Sequence, residues 1–176
     1  ILILGLTRQS LVISPRKNYL YLLLLGGILS VHWLTFFTSI QVSTVAVGLL
    51  SFSTYPVFTT FLEPLLLREK LIKASILFSL ICFGGVFLII PRFSLSDSTA
   101  VGVLWGALSG LTFALLTILN RKLSRQLRSL LVAFYQDFFS TLFLVPFYFV
   151  LQPTLYAREI LLLIILGVLC TAGSHT

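Results

Sequence analysis

Ser51, Tyr55, Thr59 and Glu63 follow one another at intervals of four inside a long apolar run, VSTVAVGLLSFSTYPVFTTFLEPLLLREK, from Val42 to Lys70. In a helix, residues four apart share a face and drift by roughly 40° per step, so these four form a slowly winding polar stripe. Two hydroxyls, a phenol and a carboxylate on one face can hold a polar solute by hydrogen bonds. Pro56 and Pro64 interrupt the same run. Each removes an amide donor and frees the carbonyl four residues back, on Phe52 and Thr60. Freed carbonyls beside a polar stripe suit a cavity better than a lipid wall.

Other polar groups sit in apolar surroundings. His32, Thr35 and Ser39 lie at i, i+3 and i+7 on one face, with Trp33 beside them. Two readings stand: a solute contact, or a His32 bond to a neighbouring helix with Trp33 anchored near the outer interface. No second ligand stands at i+3 or i+4 from His32, so a metal site is not expected. Asp137 comes nine residues after Arg128, which puts it about 13 Å along its helix, close to mid-membrane. A carboxylate at that depth costs several kcal/mol unless paired or hydrated, so it marks either a functional or gating group or a structural bond to another helix. Glu63, five residues before Arg68, either reaches the surface to pair with that arginine or faces a cavity. Glu69 reads as a loop residue or helix cap. Catalytic residues are not expected, since HExxH, a Ser/His dyad and an Asp-rich motif are all missing.

The elements that position these groups follow from composition. The 176 residues are 58% hydrophobic and 10% charged, with a mean hydropathy of +1.08, against roughly 25% charged in a soluble domain. The expected class is an all-α polytopic membrane helix bundle. A span needs about 20 apolar residues. Counting charge-free intervals gives five complete spans, Asn18 to Ile40, Val42 to Leu67, Ala74 to Ile90, Ala100 to Asn120 and Ser129 to Leu151, flanked by partial ones at 1–7 and 160–176. The chain begins at Ile1 inside an apolar run, which reads as a piece of a longer protein. The first, third and fifth loops hold 3, 3 and 4 Lys or Arg, and the second, fourth and sixth hold 0, 1 and 1. The rich side is expected to be cytoplasmic, which accounts for the net charge of +7 without nucleic acid. Gly102, Gly106 and Gly110 form GxxxGxxxG, a groove for close helix packing, and Gly84-Gly85 is expected to serve the same end. Cys82 and Cys170 lie in apolar runs and read as small buried residues.

The stretch SIQVSTVAVGLLSFSTYPVFTTFLEPLLLREKL, followed by a span with a glycine pair ending in IIPR, resembles the EamA-like branch of the drug/metabolite transporter superfamily. The likeness rests on Pro56, on Glu69 closing the apolar run, and on Gly84 and Gly85 in the next helix, mainly within residues 19–91. What the resemblance implies is ten helices in two five-helix repeats of inverted topology. Residues 1–91 would hold the end of helix 2 and helices 3 to 5 of the first repeat. Residues 92–100 would be the loop between repeats, and 101–176 helices 6 to 8 of the second. Span 18–40 would pair with the last helix, each bearing a histidine, His32 and His175. The implied activity is secondary transport, by alternating access, of small polar metabolites such as amino acids, most naturally export across a bacterial cytoplasmic membrane. The cavity residues would be His32, Trp33, Thr35, Ser51, Tyr55, Thr59 and Asp137, with Asp137 the carrier if protons couple. Expected partners are the lipid bilayer and the small solute, with a homodimer as a candidate assembly; no cofactor is expected. Exchange of a nucleotide-linked or phosphorylated sugar is the alternative within transport, and it wants a cation in the cavity. An intramembrane enzyme and a non-transporting scaffold are the alternatives of other classes.

Overall fold

The computed structural model describes residues 13, 15, 17–89, 97–151 and 156–165. Seven helices lie among them, and no strand: α1 Lys17–Val42, α2 Val45–Phe52, α3 Tyr55–Leu67, α4 Lys73–Ile89, α5 Ser98–Leu123, α6 Ser129–Leu151 and α7 Ala157–Ile165. The partial span at 1–7, Cys170, His175 and most of the loop at 92–100 lie outside the described residues.

Four segments are long and apolar enough to cross a membrane: α1, α2 with α3, α5 and α6. They hold 23 to 26 residues, about 35 to 39 Å at 1.5 Å per residue, against a hydrocarbon core of about 30 Å. The expected fifth span corresponds to α4, whose 17 residues reach only about 26 Å. Among the described residues the count is therefore four full spans and not five.

The span expected from Val42 to Leu67 is also not one helix. Its ladder breaks at Ser53 and Thr54 for a local reason: the Ser51 carbonyl accepts from both the Thr54 amide, at 3.1 Å, and the Thr54 hydroxyl, at 2.7 Å. Pro56 then has no amide to offer Phe52, so the helix restarts at Tyr55 with Pro56 in its first turn. There the missing donor costs nothing, and Pro64 is the proline inside α3. Upstream, Thr44 caps α2 by accepting from Val47 N at 3.2 Å. Asp97 caps α5 through Thr99 N at 2.9 Å.

Helix α5 is the spine. It runs antiparallel to α1, with Ser39 Oγ donating to the Gly102 carbonyl at 2.6 Å at one level and His32 meeting Ser109 at another. Its glycines face the crossing helices. A Cβ on Gly102 would strike Ser43, one on Gly106 would lie 2.5 Å from Ser51 Cβ, and one on Gly110 would lie 3.0 Å from the Phe52 carbonyl. On the other face of α1, α6 approaches closely enough that a Cβ on Gly26 would strike Phe139, and Ser30 Oγ bonds Ser140 Oγ at 3.1 Å. Hydrogen bonds of this kind between membrane helices contribute about 0.6 kcal/mol each, so close packing and not polar bonding holds the bundle. Gly84 and Gly85 differ from the expectation. A Cβ on either would meet nothing within 4 Å among the described residues.

An apolar core, including Leu22, Leu25, Leu116, Leu123, Leu131 and Val132, fills the end of the bundle that carries the basic loops. Residues of the first, third and fifth loops come together at that end: Arg121 and Arg125 reach Glu69, and Lys17 and Lys122 line one cavity. Outward faces remain apolar, with Leu20, Leu88 and Val150 more than two thirds exposed, as lipid contact requires.

Candidate substrate cavity

Three members of the expected polar stripe meet in one place. Tyr55, Thr59 and Glu63 project from α3 into a cavity of about 300 Å³, where Glu69, Lys70 and Arg121 complete a charged wall. The side chain of Thr60 holds α4 against this wall by accepting from Ser79 Oγ at 3.0 Å. The hydroxyls of Thr59 and Thr60 also donate to the carbonyls of Tyr55 and Pro56 one turn back, at 2.9 and 2.8 Å.

The electrostatic centre is Arg121, near the end of α5. Its guanidinium donates to Glu63 through Nη1 and lies 3.1 Å from Glu69 through Nη2, while Arg125 Nη2 lies 3.2 Å from the same Glu69. Two carboxylates and two guanidiniums thus balance. Glu63 pairs with Arg121 and not with Arg68, the partner suggested by sequence distance. Glu69 is a hub between two arginines and not a free loop residue. Arg68 makes this possible by closing α3 in the left-handed conformation, φ 56°, which turns the chain back and presents Glu69 to α5. The side chains involved are between a quarter and two thirds exposed, and partly exposed ion pairs of this kind stabilise a fold by only about 0 to 1 kcal/mol each. Such a network is cheap to break and re-form.

Above the charges lies an aromatic layer. Tyr55 packs on Phe52 and Phe113 with ring centroids 5.5 and 5.3 Å apart, and His32 packs on the same two rings at 5.4 and 5.1 Å. His32 is buried, and its Nδ1 stands 3.1 Å from the Ser109 carbonyl and 2.9 Å from the Ser109 hydroxyl. That is the helix-to-helix bond among the two readings of this residue.

The remaining expected residues do not line the cavity. Trp33 is 40% exposed and stacks on Phe37 at 5.6 Å. Thr35 is buried and donates to the carbonyls of Val31 and His32, at 2.8 and 3.0 Å. Ser51 is wholly buried against Gly106, and its hydroxyl has no hydrogen-bond partner among the described residues. Asp137 is half-buried on α6, whose main contact is with α1. The sequence reading missed Arg121 and Lys70 as cavity residues, since both stand among ordinary loop charges. The one available signal was Glu69 in a loop on the same side as the basic fifth loop.

Comparison with known proteins agrees with this architecture. The chain matches the EamA-like transporter family over residues 1–90 and 100–175. It is similar to a Bacillus subtilis (strain 168) protein described as uncharacterized transporter YxxF, 27% identical over 135 residues. The match covers 75% of this chain and 43% of that relative, so the chain spans less than half of the relative's length. No solved structure matches it. Helices of membrane-crossing length, packed through glycines and matched over both stretches, make this an integral membrane protein; the chain belongs to the EamA-like transporter family.

Proposed function

We propose that the protein exports small polar metabolites of the amino-acid class by alternating access, using the cavity between α3, α4 and α5. The observation that carries this reading is the balanced set of fixed charges around that space, Glu63 and Glu69 facing Arg121 and Lys70, with Tyr55 and Thr59 beside them. A zwitterion carries an ammonium and a carboxylate, and such a wall offers a partner to each. The phosphorylated or nucleotide-linked sugar alternative needs cations in surplus. Arg121 is held by two carboxylates and Lys70 is the other cation among the described lining residues, so the wall meets one carboxylate and one ammonium better than a dianionic phosphate. Two family matches separated near residues 90–100 support the division into a first repeat, 1–91, and a second, from 101.

The test is efflux from proteoliposomes containing the protein and preloaded with labelled neutral amino acids, dicarboxylates or sugar phosphates. Export of the amino acids above protein-free vesicles is the expected result. Sugar-phosphate exchange alone, or no flux of any of the three, rejects the reading.

Coupling to protons is assigned to Asp137, a carboxylate placed within the full span Ser129–Leu151. The Asp137→Asn variant is expected to lose pH-driven uptake into vesicles and to keep counterflow exchange. Unchanged pH dependence removes Asp137 from that role.

A further inference from the structure

A second cavity, distinct from the charged one, opens at the same end of the bundle between α1 and α5. It measures about 90 Å³, room for roughly three water molecules, which suits a compact group. Lys17 and Lys122 stand at its mouth, Gln126 lies beside them, and none of the described lining residues is acidic. Asn18 lies deeper. It is 1% exposed, lines the cavity, and its amide Nδ2 has no hydrogen-bond partner among the described residues. A buried amide donor without an acceptor is costly, and an acceptor entering from the mouth would relieve it. Two cations and an unmet donor, with no acid to neutralise them, ask for an oxyanion.

What lies beyond the mouth identifies the oxyanion's source. Tyr21 and Leu24 line this cavity and also an apolar groove of about 950 Å³ that continues along α1 to Leu34. Leu115 of α5 and Phe143 and Phe147 of α6 form its other walls. From Asn18 to Leu34 is 16 residues, about 24 Å of helix, more than the roughly 15 Å of hydrocarbon in one leaflet. An anion-seeking pocket at the membrane surface therefore leads directly into an apolar channel facing the acyl region.

We propose that this composite pocket binds an anionic phospholipid of the cytoplasmic leaflet. Its phosphate lies against Lys17, Lys122 and the Asn18 amide, and an acyl chain occupies the groove. Basic pockets between membrane helices on the cytoplasmic side favour anionic headgroups for the same electrostatic reason. A free phosphate would leave the groove empty. An apolar protein helix would fill the groove and leave both lysines and the amide unmet.

The probe is phosphatidylglycerol offered with chain-matched phosphatidylcholine in equal amounts to the purified protein, with retained lipid read by native mass spectrometry. Retention of phosphatidylglycerol is expected to exceed that of phosphatidylcholine by about tenfold, and the ratio is expected to fall towards one in the Lys17→Gln/Lys122→Gln variant. Leu24→Trp is expected to lower retention of both lipids without altering the size-exclusion profile. Glycerol 1-phosphate at the same concentration should displace neither. Equal retention of the two lipids by the unaltered protein overturns the proposal, as does a ratio insensitive to both lysines. Displacement by glycerol 1-phosphate would show a soluble-anion site instead. A photoreactive residue at position 24 that captures polypeptide and not lipid would show that protein covers the groove.

Discussion

Replacing Arg121 with Gln is expected to reduce transport by about tenfold or more while leaving the protein in the membrane and monodisperse in detergent. The reason lies in what the guanidinium joins. Arg121 is on α5, Glu63 is on α3 and Glu69 follows α3, so one side chain ties two helices that fall in different family-matched stretches. Exposed pairs contribute little to the fold, which is why folding should survive. They can still set the balance between two arrangements of this end of the bundle in the proposed transport cycle, because a small bias in a two-state equilibrium changes the populations several-fold. Arg121→Lys is expected to rescue little, since an ammonium cannot span two carboxylates as a planar guanidinium does. Exchanging the charges in Glu63→Arg/Arg121→Glu should restore part of the flux if the pair acts as a latch. The measurement is initial efflux rate against substrate concentration. A latch lowers the maximal rate, whereas direct recognition of a carboxylate raises the half-saturating concentration. Wild-type kinetics in Arg121→Gln would remove the cluster from the mechanism altogether.

Some of this was legible in the chain and some was not, and the difference has physical causes. Four of the five expected spans and the shared end of the basic loops were readable, because apolar length and loop charge are local properties that a bilayer selects directly. The site was only half readable. Tyr55, Thr59 and Glu63 share a face by helical period, and that face does line a cavity. Ser51 was expected to continue the stripe, but the break at Ser53 and Thr54 resets the helical phase and leaves its Cβ against Gly106. Pro56 and Pro64 announce an interruption through their missing amides, but not a break at Ser53 and Thr54. Its location depends on Thr54 capturing the Ser51 carbonyl, and threonine alone does not announce that. Arg121 lies 58 residues from Glu63, so no local pattern links them. Asp137 drew notice as a carboxylate deep in a span, yet the described cavity is built around a different acid.

A large structural effect is expected at Gly110. Its Cα faces the break between α2 and α3, where an added Cβ would lie 2.9 Å from Thr54 Oγ1, 3.0 Å from the Phe52 carbonyl and 3.2 Å from the Tyr55 amide. Two of those three atoms are backbone, so no rotamer change relieves the contact. The glycine therefore lets α5 press against the stretch of backbone where the ladder is interrupted. Gly110→Val adds still more volume and is expected to destabilise the protein by about 1 to 3 kcal/mol, the usual cost of overpacking a tight interior. Gly84→Ala supplies the internal control. It lies in a helix, a Cβ there meets nothing within 4 Å among the described residues, and relief from glycine's backbone freedom is expected to add up to about 1 kcal/mol. Both free energies can be read from unfolding by sodium dodecyl sulfate in mixed micelles. The opposite signs carry the argument: a helix-propensity effect alone would move both glycines in similar fashion, whereas contact with the break separates them. Wild-type stability in Gly110→Val would mean that α5 does not bear on the break, and the close crossing would then rest on Gly102 and Gly106 alone.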